Sequence, residues 1–205
     1  MANKKDVLKP ELWTARTVEE TQALYAKWAD TYDADVNGRG YRTPARLAAA
    51  LTTFAPPTAP ILDFGCGTGI SGAALHAAGY TTLDGTDITP EMLAKAAETG
   101  LYRKTWLSDP GELSFGRGAY PVIVAAGVVS FGAAPPETLG ALVAKLATGG
   151  LLAFSYNDPT LADQSYADAI DDEVAAGRVE VAFREHGPHL DDIGMGSDVI
   201  ILRAR

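Results

Sequence analysis

Apolar residues in the first quarter of the chain recur with the period of an amphipathic helix. Thr17 and Glu20 have the spacing of a capping box, in which two side chains satisfy backbone N–H groups at a helix start. The apolar face that follows consists of Tyr25, Trp28, Ala29 and Tyr32. A second apolar face comes after Thr43-Pro44, a typical helix start, and consists of Leu47, Leu51 and Phe54. The pattern therefore predicts two helices within residues 17–55, ahead of any strand.

From residue 60 onward, short apolar runs alternate with helical periods. The runs are typical of buried strands and occupy residues 60–64, 80–86, 101–107, 120–126 and 151–156. Helices are predicted between these runs, over about 69–78, from Thr89 to Gly100, around Leu139–Leu146 and around Tyr166–Val174. Two last strands, one at 179–183 and one at 199–202, have no helix between them.

Strands that alternate with helices form a largely parallel sheet with helices on both faces. Such sheets bind ligands at the carboxyl ends of their strands. We predict a seven-stranded, mostly parallel sheet with an antiparallel strand at one edge, where the last two strands pair. The 205 residues fit one domain. Residues 1–55 would form a helical lid, and the proline-rich segment 55–60 would join it to an α/β core over residues 56–205.

Charge and cysteine content narrow the classes of ligand. The net charge of −9 argues against nucleic acid and against an anionic membrane surface as partners. The single cysteine, Cys66, cannot form an intrachain disulfide or a cysteine-based zinc cluster, and fits a cytoplasmic protein. No apolar run approaches the roughly 18 residues of a membrane helix. No signal peptide is expected.

The segment 63–69, Asp-Phe-Gly-Cys-Gly-Thr-Gly, ends an apolar strand and opens a helix. Gly65, Gly67 and Gly69 let a ligand approach the backbone, and the helix behind them presents free N–H groups. Asp87 lies about 20 residues further on, at the end of the second predicted strand, where an acid can accept hydrogen bonds from ribose hydroxyls. This layout predicts a nucleoside-containing ligand.

Three interpretations of this loop remain open. A dinucleotide site of an NAD-linked oxidoreductase wants a third glycine where this chain has Ile70, and Asp63 suits a diphosphate poorly. The loop could also be a tight turn that only joins strand to helix. A non-catalytic protein could keep the same fold and pocket.

The chain resembles the class I S-adenosylmethionine-dependent methyltransferases. Five blocks carry the resemblance in the right order: Ile61–Gly69, Gly85–Leu93, Ser108–Asp109, Tyr120–Gly127 and Leu146–Phe154. Tyr25, Trp28, Ala29, Tyr32 and Asp33 also look like the amino-terminal lid of many small members. The resemblance implies a Rossmann-like three-layer sandwich with two lid helices, and S-adenosylmethionine as cofactor with S-adenosylhomocysteine as product. Most members carry an acid where this chain has Pro121, a position with a structural role.

The resemblance also implies which residues contact the cofactor. They are Asp63, Gly65, Cys66, Gly67, Gly69, Asp87, Ile88, Met92, Ser108, Asp109, Ala126, Gly127, Tyr25 and Tyr32. Among them Asp63 would orient the amino group of the cofactor, directly or through water, and Asp87 would bind its ribose. Ile88, Met92 and Asp109 would surround the adenine, and Gly127 would border the sulfonium.

The methyl acceptor is expected to be a small molecule. Candidate acceptor contacts are Tyr41, Ser130, Phe131 and Tyr156. We assign no catalytic side chain, because an activated methyl needs mainly in-line alignment with its acceptor. We expect no metal site at His186 and His189. His186 is interpreted as a residue of a solvated loop, with a role as a base as the alternative. The oligomeric state is not predicted.

Overall fold

The computed structural model describes Thr14 and residues 16–205 of the chain. Its helices are α1 Val18–Trp28, α2 Tyr32–Asn37, α3 Thr43–Leu51, α4 Ile70–Ala77, α5 Pro90–Glu98, α6 Glu137–Ala144, α7 Asp158–Leu161 and α8 Gln164–Ala175. Its strands are β1 Ile61–Phe64, β2 Leu83–Asp87, β3 Tyr102–Leu107, β4 Val122–Ala125, β5 Leu151–Asn157, β6 Val179–Leu190 and β7 Met195–Ala204. Residues 1–13 and Ala15, including the first part of the predicted lid, lie outside the described residues.

The seven strands form one mixed sheet in the order β3-β2-β1-β4-β5-β7-β6. Strands β1 to β5 are parallel, as the alternation of strands and helices predicted. The antiparallel strand is β7, which pairs with both β5 and β6. The class of fold is therefore confirmed, but the antiparallel strand lies one place in from the edge. A hairpin from β6 to β7 causes this, since β7 returns into the sheet and leaves β6 outside.

Each face of the sheet carries its own apolar core. On one face Leu47 and Leu51 of α3 and Leu75 of α4 pack against β-strand residues. On the other face the helices α6 and α8 cover Ile123, Leu152 and Phe154. Burial of a side chain of this size contributes about 1.5–3 kcal/mol to folding, so the two faces fix the sheet between helices. The result is the three-layer arrangement that the pattern predicted.

The helices ahead of the sheet differ from the prediction. The capping box of α1 is present, with the Glu20 N–H donating to Thr17 Oγ1 at 3.2 Å and the Thr17 N–H donating to Glu20 Oε2 at 2.9 Å. However, α1 ends at Trp28, and Tyr32 begins the separate helix α2. There are therefore three helices within residues 17–55. The prediction of two lid helices was wrong in a second respect, because α3 packs into the sheet core instead of covering its edge.

Strand β6 runs through the segment that was interpreted as a solvated loop. His186 pairs with Asp198 and Pro188 pairs with Gly196 in the β6–β7 ladder. A proline is tolerated there because β6 is an edge strand and its register shifts between Pro188 and Leu190. No helix among residues 16–205 is long and apolar enough to cross a membrane.

Candidate functional site

A cavity of about 380 Å³ lies at the carboxyl ends of the parallel strands. Its floor comes from residues that end or follow strands, among them Gly65 after β1, Asp87 at the end of β2, Ser108 after β3 and Ala126 after β4. The helices α1 and α2 cover it, and these two helices with the turn between them are called the lid below. The cavity lies at the strand ends, where the ligand site was predicted. The volume of the cavity is within the range of small-molecule sites.

The three glycines of the loop serve different purposes. Gly67 has φ +54°, and a Cβ built on it meets no atom within 4 Å, so its open side faces the cavity that it lines. A Cβ on Gly65 would instead lie 2.4 Å from the Val128 side chain. A Cβ on Gly69 would lie 3.2 Å from the Thr99 side chain, at α5. Gly67 therefore leaves room for a ligand, whereas Gly65 and Gly69 are small because neighbouring side chains press on them.

Asp87 is the polar centre of the cavity wall. One carboxylate oxygen accepts from the Gly67 N–H at 2.8 Å, and the other accepts from the Thr89 N–H at 2.8 Å. Burial raises its pKa, which these backbone hydrogen bonds partly offset. The acid thus links the glycine loop to the start of α5, and each oxygen retains acceptor capacity for a further donor.

Around Asp87 lie the residues that the resemblance placed beside an adenine. Ile88, Met92, Ser108 and Asp109 all line the cavity. The Ser108 hydroxyl shares a hydrogen bond of 2.5 Å with Thr86 Oγ1, and the Ser108 N–H donates to the Asp87 carbonyl at 2.9 Å. Strand β3 is thereby held in register with β2 at this end. Ala126 and Gly127 line the cavity after β4.

Two lid tyrosines also line the cavity. Tyr25 of α1 and Tyr32 of α2 form an aromatic group with Trp28, in which the Trp28 and Tyr32 rings are 4.8 Å apart. The Trp28 indole N–H donates to Asp35 at 2.7 Å and so fixes α1 against α2. Burial raises the pKa of both tyrosines, which keeps their hydroxyls neutral at pH 7. They can donate hydrogen bonds or present ring faces to a cation.

Three of the predicted cofactor residues lie outside the cavity wall: Asp63, Cys66 and Gly69. The side chain of Cys66 points beneath the loop, where its Sγ lies 3.0 Å from a Cβ built on Gly85 of β2. Burial raises the pKa of this thiol, so it is an uncharged packing group. The contact of these three residues with the cofactor stays a prediction.

Asp63 is fully buried below the loop. Its Oδ2 accepts hydrogen bonds from Ser71 at 2.6 Å and from the Tyr102 hydroxyl at 2.7 Å. Its Oδ1 has no hydrogen-bond partner among the described residues. Burial raises the pKa of Asp63 to about 6, and the two hydroxyl donors oppose that rise. Asp63 is therefore a hydrogen-bond acceptor between β1, α4 and β3.

The four predicted acceptor residues do not line the cavity either. Ser130 and Tyr156 are buried, and the Tyr156 ring packs 5.5 Å from Tyr166 in the apolar core. Phe131 is half-buried against the same core. The Tyr41 hydroxyl lies 3.3 Å from a Cβ built on Gly127, and the Ser130 hydroxyl lies 3.4 Å from the Gly127 carbonyl oxygen. The alternation of side chains along β5 directs Tyr156 towards Tyr166 of α8.

Sequence reasoning missed a second part of the cavity wall. It consists of small or apolar residues after β4 and on α6: Val128, Ala133, Ala134, Pro135, Thr138 and Ala141. Residues 110–113 complete it. Lys145, which follows the last residue of α6, holds that loop through hydrogen bonds to the carbonyls of Leu113 at 3.0 Å and Phe115 at 2.7 Å. These residues carry no motif, and only the long-range packing of the fold brings them together.

The histidines of β6 take part in other contacts. His186 Nδ1 lies 2.8 Å from Asp198, and buried His189 Nδ1 lies 2.8 Å from Thr43 Oγ1. Burial lowers the pKa of His189 to about 4, so it is neutral at pH 7. In the part of the chain that the structure describes, no three His, Cys, Asp or Glu side chains are grouped so that they could hold a metal ion.

Solved structures share this architecture. The [4+2]-cyclase SpnF superimposes with a TM-score of 0.71 and 15% identity, over 93% of this chain and 98% of that one. Magnesium protoporphyrin IX methyltransferase from Synechocystis, with bound SAH, gives a TM-score of 0.65 at 14% identity over 90% and 99% of the two chains. At these identities the likeness shows the fold, which is that of Rossmann-like methyltransferases.

The family follows from the sequence itself. A methyltransferase domain model matches residues 37–191, so the chain belongs to that family. The inferred class I S-adenosylmethionine-dependent methyltransferase is confirmed, and S-adenosylmethionine is the cofactor of this class. Human methyltransferase-like protein 27 is 39% identical over 118 residues, which are 55% of this chain. The chain spans about half the length of that relative, since the match covers 48% of it.

Proposed function

We propose that this protein binds S-adenosylmethionine in the cavity and transfers its methyl group to a small-molecule acceptor. One observation carries the proposal. The open side of Gly67 and the carboxylate of Asp87 face the same cavity, with their N–H to oxygen bond of 2.8 Å between them. A glycine lets a sugar approach the backbone closely, and the half-buried acid beside it can accept hydrogen bonds from two vicinal hydroxyls.

The residues of the wall divide the work of holding the cofactor. Asp87 accepts hydrogen bonds from the ribose hydroxyls, and Asp109 and Ser108 offer polar atoms at the adenine end. Ile88 and Met92 supply an apolar surface for the base. Tyr25 and Tyr32 of the lid face the cationic end, where a ring can contribute about 0.5–2 kcal/mol by cation–π attraction. When bound, the cofactor supplies a methyl group already activated by its sulfonium.

Catalysis then depends on alignment of the acceptor. Fixing two reactants in the correct geometry can lower a barrier by roughly 7–11 kcal/mol, without a catalytic side chain. The lid also excludes water from the cavity, which protects a reactive cofactor. A small acceptor fits a cavity of about 380 Å³ that α1 and α2 cover, and the net charge of −9 disfavours nucleic acid.

Calorimetry and a transfer assay test the proposal together. We expect saturable binding of S-adenosylmethionine and S-adenosylhomocysteine below millimolar concentration. We also expect radiolabelled methyl groups to appear in small molecules of a cell extract. Failure of both ligands to bind would refute the cofactor assignment. Binding without any labelled product would favour the second candidate, a non-catalytic cofactor-binding protein, which the position of Ser130, Phe131 and Tyr156 outside the cavity supports.

A further inference from the structure

Polar contacts fasten the lid to the core. Gln22 of α1 donates to the Ile88 carbonyl at 2.8 Å. Asp30, in the turn after α1, lies 3.0 Å from Lys95 of α5. Asp33 of α2 accepts from the Thr68 hydroxyl at 2.5 Å. Each contact joins a different part of the lid to a different part of the core.

The contact between Asp33 and Thr68 differs from the ion pair between Asp30 and Lys95. The side chains of that ion pair are 86% and 40% exposed, so water screens it and it contributes little. In the other contact Asp33 is exposed as well, but its partner Thr68 is only 3% exposed. A hydrogen bond from such a buried hydroxyl to a carboxylate belongs to the stronger, charge-assisted kind.

The position of Thr68 gives this bond its meaning. Thr68 follows Gly67, whose N–H donates to Asp87 and whose open side faces the cavity. Asp33 follows Tyr32, whose ring lines the cavity from above. The series Asp87, Gly67, Thr68, Asp33 and Tyr32 is therefore continuous, through two hydrogen bonds and two peptide links, from the floor of the cavity to its lid.

We propose that Asp33 is a positioning residue, which seats Tyr32 and helix α2 over the bound cofactor by accepting the Thr68 hydrogen bond. The proposal rests on the proposed function, since it concerns the same cavity. A ligand that contacts Asp87 and Gly67 holds the loop in the conformation that presents the Thr68 hydroxyl. The lid closes on that hydroxyl, and release of the ligand requires the bond to break.

Substitutions at Thr68 separate the hydroxyl from the shape of the side chain. Thr68→Val keeps the branched shape and removes the donor, whereas Thr68→Ser keeps the donor. Stopped-flow measurement with S-adenosylhomocysteine should show dissociation about tenfold faster from Thr68→Val, because a charge-assisted hydrogen bond is lost. Thr68→Ser should dissociate close to the wild-type rate. Asp33→Ala, an exposed position, should reproduce the fast dissociation, whereas Asp30→Ala should change it less than twofold.

The outcomes distinguish this inference from the proposed function. If the wild-type protein does not bind S-adenosylhomocysteine, the proposed function and the positioning role both fail. If the wild type binds and Thr68→Val and Asp33→Ala release the ligand at its rate, only the positioning role fails. Equal acceleration in Thr68→Ser and Thr68→Val would also overturn it, because the hydroxyl would then have no part. A thermal unfolding curve shows whether each variant is folded. If Thr68→Val is not folded, the surface variant Asp33→Ala still tests the proposal.

Discussion

Two walls of the same cavity are built in different ways. The wall around Gly67 and Asp87 is polar and comes from two short motifs, which join through the 2.8 Å hydrogen bond between them. The second wall, called the apolar wall below, is formed by small, mostly apolar side chains within residues 133–141. Hydrogen bonds from Lys145 hold the loop next to it. The first wall can orient a ligand through directed hydrogen bonds. The second can only exclude water and define a shape, so changes in the two should have different consequences.

The largest effect is expected at Gly67. Gly67→Val places a branched side chain into the open space of the cavity and should abolish measurable binding of S-adenosylhomocysteine, a loss of at least about a hundredfold. Gly100→Val is the matched control, because Gly100 also has a positive φ and open space but lies beyond α5, away from the cavity. Calorimetry on both variants separates backbone strain, which they share, from occlusion. Full binding by Gly67→Val would mean that a ligand does not approach the loop.

Asp87→Ala should weaken binding by about 1–3 kcal/mol, since the ribose hydroxyls would lose a charged acceptor. The same variant also frees the N–H groups of Gly67 and Thr89, so part of this loss passes through the loop. Asp87→Asn keeps an acceptor oxygen and should lose less. Isothermal titration with S-adenosylhomocysteine measures both values. Unchanged affinity in a folded Asp87→Ala protein would refute the assignment of this residue.

Asp63 should make the stability of the ligand-free protein depend on pH. Its pKa rises from 3.8 to about 6 on folding, so the folded chain holds this proton more tightly than the unfolded chain. The resulting stabilisation is complete below pH 4 and is lost as pH rises through 6. Relative to Asp63→Asn, the wild type should therefore lose about 2–3 kcal/mol of unfolding free energy between pH 4 and 7. Urea unfolding of both proteins at pH 4 and pH 7 measures this loss. An equal change in unfolding free energy for the wild type and Asp63→Asn would contradict the raised pKa.

The smallest effect is expected from Lys145, which holds the loop next to the apolar wall. Lys145→Met removes two hydrogen bonds to the loop that contains Leu113, and should lower the stability by about 1 kcal/mol with a severalfold loss of affinity. Lys104→Met is a suitable control, because it removes a lysine that is exposed and does not line the cavity. The contact of Lys104 with Asp84 is long, at 3.8 Å. Denaturant unfolding and calorimetry provide the two values. A loss of affinity as large as that of Asp87→Ala would erase the difference between the walls.

The same contrast explains what the sequence could predict. The fold follows from local apolar periods, which specified β1, β4 and β5 to within two residues. Gly67 and Asp87 carry a recognisable spacing, so their wall was predicted. The apolar wall has no sequence motif, and its residues come together only when the chain folds. The orientation of Tyr156 and the burial of Asp63 likewise depend on which neighbours cover each strand, which a linear pattern does not record.

A crystal structure with S-adenosylhomocysteine tests the central claim most directly. We predict that the ribose hydroxyls lie within hydrogen-bond distance of Asp87 and that the adenine lies between Ile88 and the Ser108–Asp109 segment. Tyr32 should remain over the ligand, with the Asp33 to Thr68 bond intact. A ligand bound elsewhere, or one bound in the cavity without contact to Asp87, would contradict the account.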